Sequence, residues 1–204
     1  LGDLHIHELI QGDYLSPYRH FTVPDYTPEA VANLYAADPR RWGKSLLFFH
    51  RTQQCFDCKR LLSRAGVRSE VVTAHSNRER QIRDFADGKT DVLISMAILA
   101  EGFDCPSLRT VFCRPSGKGC TVQMCGRVLR KFPRMRFKQI IQCRNTRHPF
   151  TKTDTPGEQY TWIDGKWRGL QLNEQAETIC AMTRQLVAES RPALPEIVAQ
   201  HRTG

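Results

Sequence analysis

No apolar run in this sequence approaches the ~18–20 residues that a helix needs to cross a bilayer. The opening residues, LGDLHIHELI, also lack the basic start and apolar stretch of a secretory signal. No membrane partner is therefore expected, and a reducing, cytoplasmic compartment fits best. The eight cysteines have no framework spacing, which agrees with that compartment. Cys55 and Cys58 form a lone C-x-x-C without a second ligand pair at zinc-site spacing. A redox pair and two small side chains on one helix are both open readings, and the second is favoured. The seven histidines show no metal spacing. Acidic residues are absent from Cys105 to Thr153, a window that holds 12 of the 30 lysines and arginines. The net charge is +9, so the rest of the chain is net negative and the positive excess sits in one segment. Such concentration points to a polyanionic partner, nucleic acid or nucleotide phosphate.

What is present is ordered. The first residue is Leu, and a missing upstream part is expected. A short helix ending near Gly12 and a strand in YRHFTV are followed by TPEAVANLYAADP. There Thr27 reads as an N-cap, Pro28 as the first helical residue and Glu29 as a favourable charge in the first turn. From Ser45 onward, short apolar runs alternate with helical segments: SLLFF, SEVVTA, DVLIS, TVFC and FKQIIQC are the strands. That alternation predicts an α/β fold with a parallel sheet and flanking helices. In such sheets ligands gather at loops beyond the carboxyl ends of the strands. QYTWIDGKWRGL predicts a hairpin across Asp164-Gly165, with Trp162 and Trp167 packed across its strands. NEQAETICAMTRQLVAES reads as an amphipathic helix and HRTG as a tail. The expected organisation is a lead-in over 1–14, the main domain over 15–145, and a hairpin-and-helix extension over 146–204.

TVQMCGRVLR, residues 121–130, divides its faces unusually. On a helical wheel, Arg127 and Arg130 fall within about 40° of Gln123 on either side. Val122, Met124, Cys125, Val128 and Leu129 take the opposite half, and Gly126 borders the polar one. No acidic partner lies nearby in sequence, so this face is read as reserved for an anionic ligand.

DVLISMAILAEGFDCP followed by QMCGRVLR resembles motifs V and VI of superfamily 2 helicases and translocases. SLLFFHRT resembles motif IV, and TAHSNRERQIRDFADG the segment between IV and V. The similarity covers roughly residues 15–145, the second RecA-like domain of a two-domain motor. The EGFD form of motif V resembles a DNA-helicase branch with RadD-like and XPB-like members, found in bacterial and phage settings. The resemblance implies that Arg127 and Arg130 reach ATP held by a partner N-terminal RecA-like domain, with Gln123 lining the cleft. An arginine so placed can accelerate phosphoryl transfer to water by ~10³–10⁵. Its permanent charge and planar fork match phosphate oxygens. The resemblance further assigns Gly102 to close backbone approach and Asp104 to the ribose hydroxyls.

His50, Arg51 and Thr52 resemble motif IV residues that touch a nucleic-acid backbone, and His75 and Ser76 occupy a similar loop. Many family members place a phosphate-contacting threonine six residues before the motif V glycine. Here that position is Met96, and Ser95 beside it is the candidate replacement. Either histidine taken alone fits a packing role equally well. Arg80 is expected to anchor its own helix, and the Arg134–Lys138 cluster leans towards nucleic acid. RPSGKGC is not a phosphate-binding loop, because it lacks the first glycine and the hydroxyl after the lysine. No Asp-Glu pair lies on a buried strand to hold Mg²⁺. ATP and Mg²⁺ are therefore expected mainly on the missing N-terminal domain, with DNA, or alternatively RNA, as the track. This chain alone is expected to be inactive as an ATPase. The rival reading is a stand-alone nucleic-acid-binding module of the same fold.

Overall fold

A computed structural model describes residues 6–96 and 103–170. After a short helix α1 (Ile6–Gln11), strand β1 (Tyr18–Val23) leads to helices α2 (Pro28–Ala37) and α3 (Pro39–Trp42). Strand β2 (Ser45–Phe48), helix α4 (Thr52–Arg64), strand β3 (Ser69–Val72) and helix α5 (Arg78–Ala86) follow. Next come β4 (Val92–Ser95), β5 (Thr110–Cys113), α6 (Lys118–Gly126) and β6 (Lys138–Cys143). The hairpin β7 (Glu158–Ile163) and β8 (Lys166–Leu170) ends the described chain. The strands form one sheet in the order β3-β4-β2-β5-β6-β1-β7-β8, parallel except for the β7–β8 pair.

Both faces of the sheet are covered, which is why its strands read as continuous apolar runs rather than alternating ones. Leu46, Phe48, Leu93, Val111 and Ile140 enter one core with Phe85 of α5 and Met124 and Cys125 of α6. Their chain neighbours Leu47, Ile94, Phe112 and Ile141 enter the other core, with Val31 and Tyr35 of α2 and Cys55, Cys58 and Leu62 of α4. The two-residue side-chain period of a strand produces this split. Burial pushes the Cys55 thiol up to about 11 and the Cys58 thiol up to about 12. Both are buried packing groups, protonated at neutral pH.

Helix ends follow local chemistry. The Thr27 hydroxyl accepts from Ala30 N at 3.1 Å, and the Asn77 side chain accepts from Arg80 N at 3.1 Å. Gly66 (φ 75°) and Gly88 (φ 80°) turn the chain out after α4 and α5 in a conformation that suits glycine. Asp164 (φ 49°) and Gly165 (φ 72°) make the left-handed corner of the hairpin. Trp162 pairs with Trp167 across it, the rings edge-to-face at 4.9 Å. The hairpin is not an appendage to the sheet: β7 runs parallel to β1, in the register Arg19↔Glu158 to Thr22↔Thr161. Residues 158–170 thus widen the same sheet across the boundary expected at 145. The amphipathic helix and tail expected beyond Leu170 lie outside the described residues.

Candidate functional site

In-register parallel pairing brings strand ends into line. Phe48 and Val72 both pair with Ser95, and Cys113 pairs with Gln142. The loops after β2, β3, β4 and β5 therefore leave from one edge. His50, Arg51, Thr52, His75 and Ser76 all lie on that edge, as their sequence positions predict. Arg51 is exposed, and its backbone N–H donates to Gln54 Oε1 at 3.1 Å at the start of α4. Thr52, His75, Ser76 and Ser95 line one cavity of about 630 Å³ there, with Phe56, Thr73 and Met96.

Details of that edge separate contact groups from scaffolding. His50 Nδ1 meets the Arg114 guanidinium at 2.9 Å. A guanidinium only donates, so Nδ1 accepts and the neutral ring carries its proton on Nε2. Partial burial and the Arg114 charge both hold the His50 pKa below its ordinary value. The Pro115 backbone is already a hydrogen-bond partner of the ring and pushes the other way, so His50 is held in place on this edge from two sides. Arg114 also donates to Ser116 Oγ at 3.2 Å. Sequence reasoning counted Arg114 as charge only; its position directly after a buried strand was the usable signal. Ser76 is engaged in its own turn: its hydroxyl lies 2.7 Å from Gln81 Oε1 and accepts from Thr73 N at 3.0 Å. Ser95 is only 4% exposed, and its hydroxyl donates to the Val72 carbonyl at 3.3 Å. In this structure it ties β4 to β3. Arg80 lies 3.9 Å from Glu70 of β3, an exposed and weak pair rather than an anchor within its own helix.

The residues assigned to nucleotide form a second group, elsewhere on the sheet. Asp104 belongs to the segment that leads into the amino end of β5. Arg130 pairs in an antiparallel bridge with Leu15, just before β1, and Ser16 N donates to the Leu129 carbonyl at 2.7 Å. Both therefore lie towards the amino ends of the parallel strands, away from the loops carrying His50 and His75. The helix expected over 121–130 is corrected. Helix α6 stops at Gly126, Arg127 is its C-cap, and Arg130 lies beyond it in extended chain. The physical reason is that Val128 and Leu129 reach the core from a turn rather than a helix, while Leu129's carbonyl serves Ser16. Apolar spacing alone does not distinguish the two.

The Arg130 guanidinium pairs with the Asp104 carboxylate. Their side chains are 45% and 62% exposed, so the pair sits in water and holds only weakly. Gln123 is exposed near the end of α6, and Arg127 is half-buried. Gly102 lies outside the described residues. Lys138 corrects the basic cluster expected at 134–138. It is fully buried, and Nζ donates to the carbonyls of Pro106 and Leu108, at 2.6 Å each. It pins the chain that follows Asp104. Among the described residues no group of three or more His, Cys, Asp or Glu is placed to hold a metal ion, and no helix is long and apolar enough to cross a membrane.

Comparison with known proteins agrees with this architecture. The fragment structure of a putative HsdR subunit of a type I restriction enzyme from Vibrio vulnificus YJ016 superposes with a TM-score of 0.60 at 17% identity, over 80% of this chain and 40% of that one. A variant of S. cerevisiae Dbp5 bound to RNA and ADP BeF3 gives a TM-score of 0.56 at 18% identity, over 79% and 44%. A 51.5 kDa protein of a Lactococcus phage (isolate 7-9) is 22% identical over 135 residues, 53% of this chain and 30% of its own length. The chain thus spans less than half the length of each. Residues 27–132, more than half of the sequence, match the family described as the helicase conserved C-terminal domain, and the chain belongs to that family, with its RecA-like fold.

Proposed function

We propose that this chain is the second motor domain of an ATP-dependent helicase or translocase acting on DNA. Arg127 and Arg130 serve as fingers to ATP, Gln123 lines the cleft, Asp104 receives the ribose hydroxyls and Gly102 lets the backbone close on the nucleotide. ATP and Mg²⁺ are held mainly by an N-terminal RecA-like domain of the same protein. The strand edge bearing His50, Arg51, Thr52 and His75 contacts the nucleic-acid backbone. Ser76 and Ser95 stand behind that edge, and their hydroxyls order the turn and the strand.

The observation that carries this reading is the meeting of Asp104 and Arg130. Residues 26 positions apart, from the segments that resemble motifs V and VI, converge at an exposed pair. A water-exposed ion pair is worth about 0–1 kcal/mol, so a nucleotide can replace it at little cost. Each partner would then take a better-matched ligand group: phosphate for the guanidinium, ribose hydroxyl for the carboxylate. The two groups also occupy different ends of the sheet, which leaves room for both ligands at once. DNA is preferred over RNA on the EGFD form of motif V.

The test uses the complete protein. Arg127→Ala and Arg130→Ala are each expected to lower ATP turnover by ~10³-fold or more while leaving single-strand affinity in place. The 204-residue chain alone is expected to show no turnover. Unchanged turnover in both variants sinks the finger assignment, whereas a complete protein with no upstream phosphate-binding loop and no turnover leaves a stand-alone nucleic-acid-binding module of this fold. Matched DNA and RNA strands in the binding assay decide the polymer.

A further inference from the structure

Backbone contact explains the polar rim of the strand-end edge but not the apolar interior of its cavity. Phe56 and Met96 are 49% and 44% exposed, and both line the cavity of about 630 Å³. Phe56 sits on α4 between Cys55, which is buried, and Asp57, with its ring out of the core that α4 otherwise serves. Val72 and Ala74 add apolar surface, and among the described residues the lining contains no acidic side chain. Phosphates have no use for such a lining, and water gains nothing from it.

We propose that this cavity is a nucleobase pocket, in which one base of a bound single strand stacks on Phe56 against the Met96 thioether. The inference rests on the nucleic-acid reading above. Three features select a base over other occupants. Arg78 and His75 line the cavity, and Arg51 and the Arg114–His50 pair stand on the same strand-end edge, where the phosphates on either side of an inserted base would run. Phe56 offers a ring face, and thioether sulfur is polarisable and packs well on aromatic surfaces. The volume falls in the range of pockets that take small planar ligands. Every base has a π-face, so stacking here adds affinity without reading sequence. Thr73 and His75 lie at the margin, where base-edge or sugar hydroxyl groups would meet them.

The experiment measures binding of a short single-stranded oligodeoxynucleotide and of an abasic strand of equal length to the 204-residue chain. Intact strand is expected to bind roughly five- to a hundredfold more tightly than abasic strand, the range that stacking of one base supplies. Phe56→Ala is expected to remove that advantage while leaving abasic binding unchanged, and Phe56→Trp to preserve it. Phe56 stands half out of the fold, and matched thermal unfolding of the variants checks that the core is intact. Equal binding of intact and abasic strands by the wild-type chain overturns the pocket and leaves the backbone-contact reading standing. So does an equal loss on both strands in Phe56→Ala. Absence of binding to either strand overturns the nucleic-acid reading itself, and the pocket with it.

Discussion

Lys138 shows how a single charge can be structural where composition points to a ligand. Its ammonium sits inside the sheet, at the amino end of β6, with two carbonyls as partners. Desolvation pushes its pKa down from 10.5 to about 8. Between those values the unfolded chain binds the proton more readily than the folded one, so stability rises with pH across that interval. The neutral amine keeps two N–H donors, enough for both carbonyls. Lys138→Met leaves those carbonyls buried and unpaired, at an expected cost of about 1–3 kcal/mol near pH 7.5. Urea midpoints measured from pH 7.5 to 10 should climb in the wild type relative to the variant, the buried Cys55 and Cys58 thiols pulling both down alike above about pH 9. Parallel pH dependences in the two proteins would remove Lys138 as the source of the difference. None of this was legible in the sequence, where Lys138 closes a run of four basic residues and reads as surface. Ser95 misled for the opposite reason: its hydroxyl is polar, as a contact requires, yet the neighbouring strand uses it.

At the scale of elements, sequence chemistry was most reliable where a cap or a left-handed residue fixed an end. Thr27 and the Asp164-Gly165 corner lie where the sequence predicts them, and Asn77, Gly66 and Gly88 fix other helix ends by the same chemistry. Strand identity was equally plain, because a sheet covered on both faces needs short unbroken apolar runs. Helix α6 was not. Its C-terminal apolar residues keep helical spacing after the helix has ended, where Ser16 takes the Leu129 carbonyl and Pro133 has no N–H to offer it. Gly126, the last helical residue, has open space where a Cβ would stand. Gly126→Ala is therefore expected to stabilise the chain by about 0.4–1 kcal/mol, through the reduced freedom of the unfolded state. If the open space serves a nucleotide beside Gln123 and Arg127, the same substitution lowers ATP turnover in the complete protein. A stabilised variant with full turnover would show that the glycine is not reserved for the ligand.

Across the whole molecule, the parallel sheet holds two groups of candidate residues at its two ends, and the basic excess divides between them. Legible in the sequence was the total, twelve cations without an acid from Cys105 to Thr153; hidden was how many the fold itself engages. Lys138 is buried, and Arg109 donates to the Arg40 carbonyl at 3.2 Å. Arg130 pairs with Asp104, and Lys131 with Asp13. All four lie towards the amino ends of the strands. On the contact edge stand Arg114, Lys118, Arg144 and Arg147, which follow β5 and β6, joined by Arg51 and Arg78 from outside the acid-free window. Six contacts to a single strand give a slope of log affinity against log salt of about −4, whereas the eleven cations of the window other than buried Lys138 would give about −8. Titrating an oligonucleotide at several salt concentrations separates the two values. A slope near −4, reduced by about 0.7 in Arg114→Gln, places the strand across the carboxyl ends of β2 and β5. A slope near −8 would mean that the nucleic acid wraps to the opposite end of the sheet, where it would compete with nucleotide for Arg130, and the two-site division would fail.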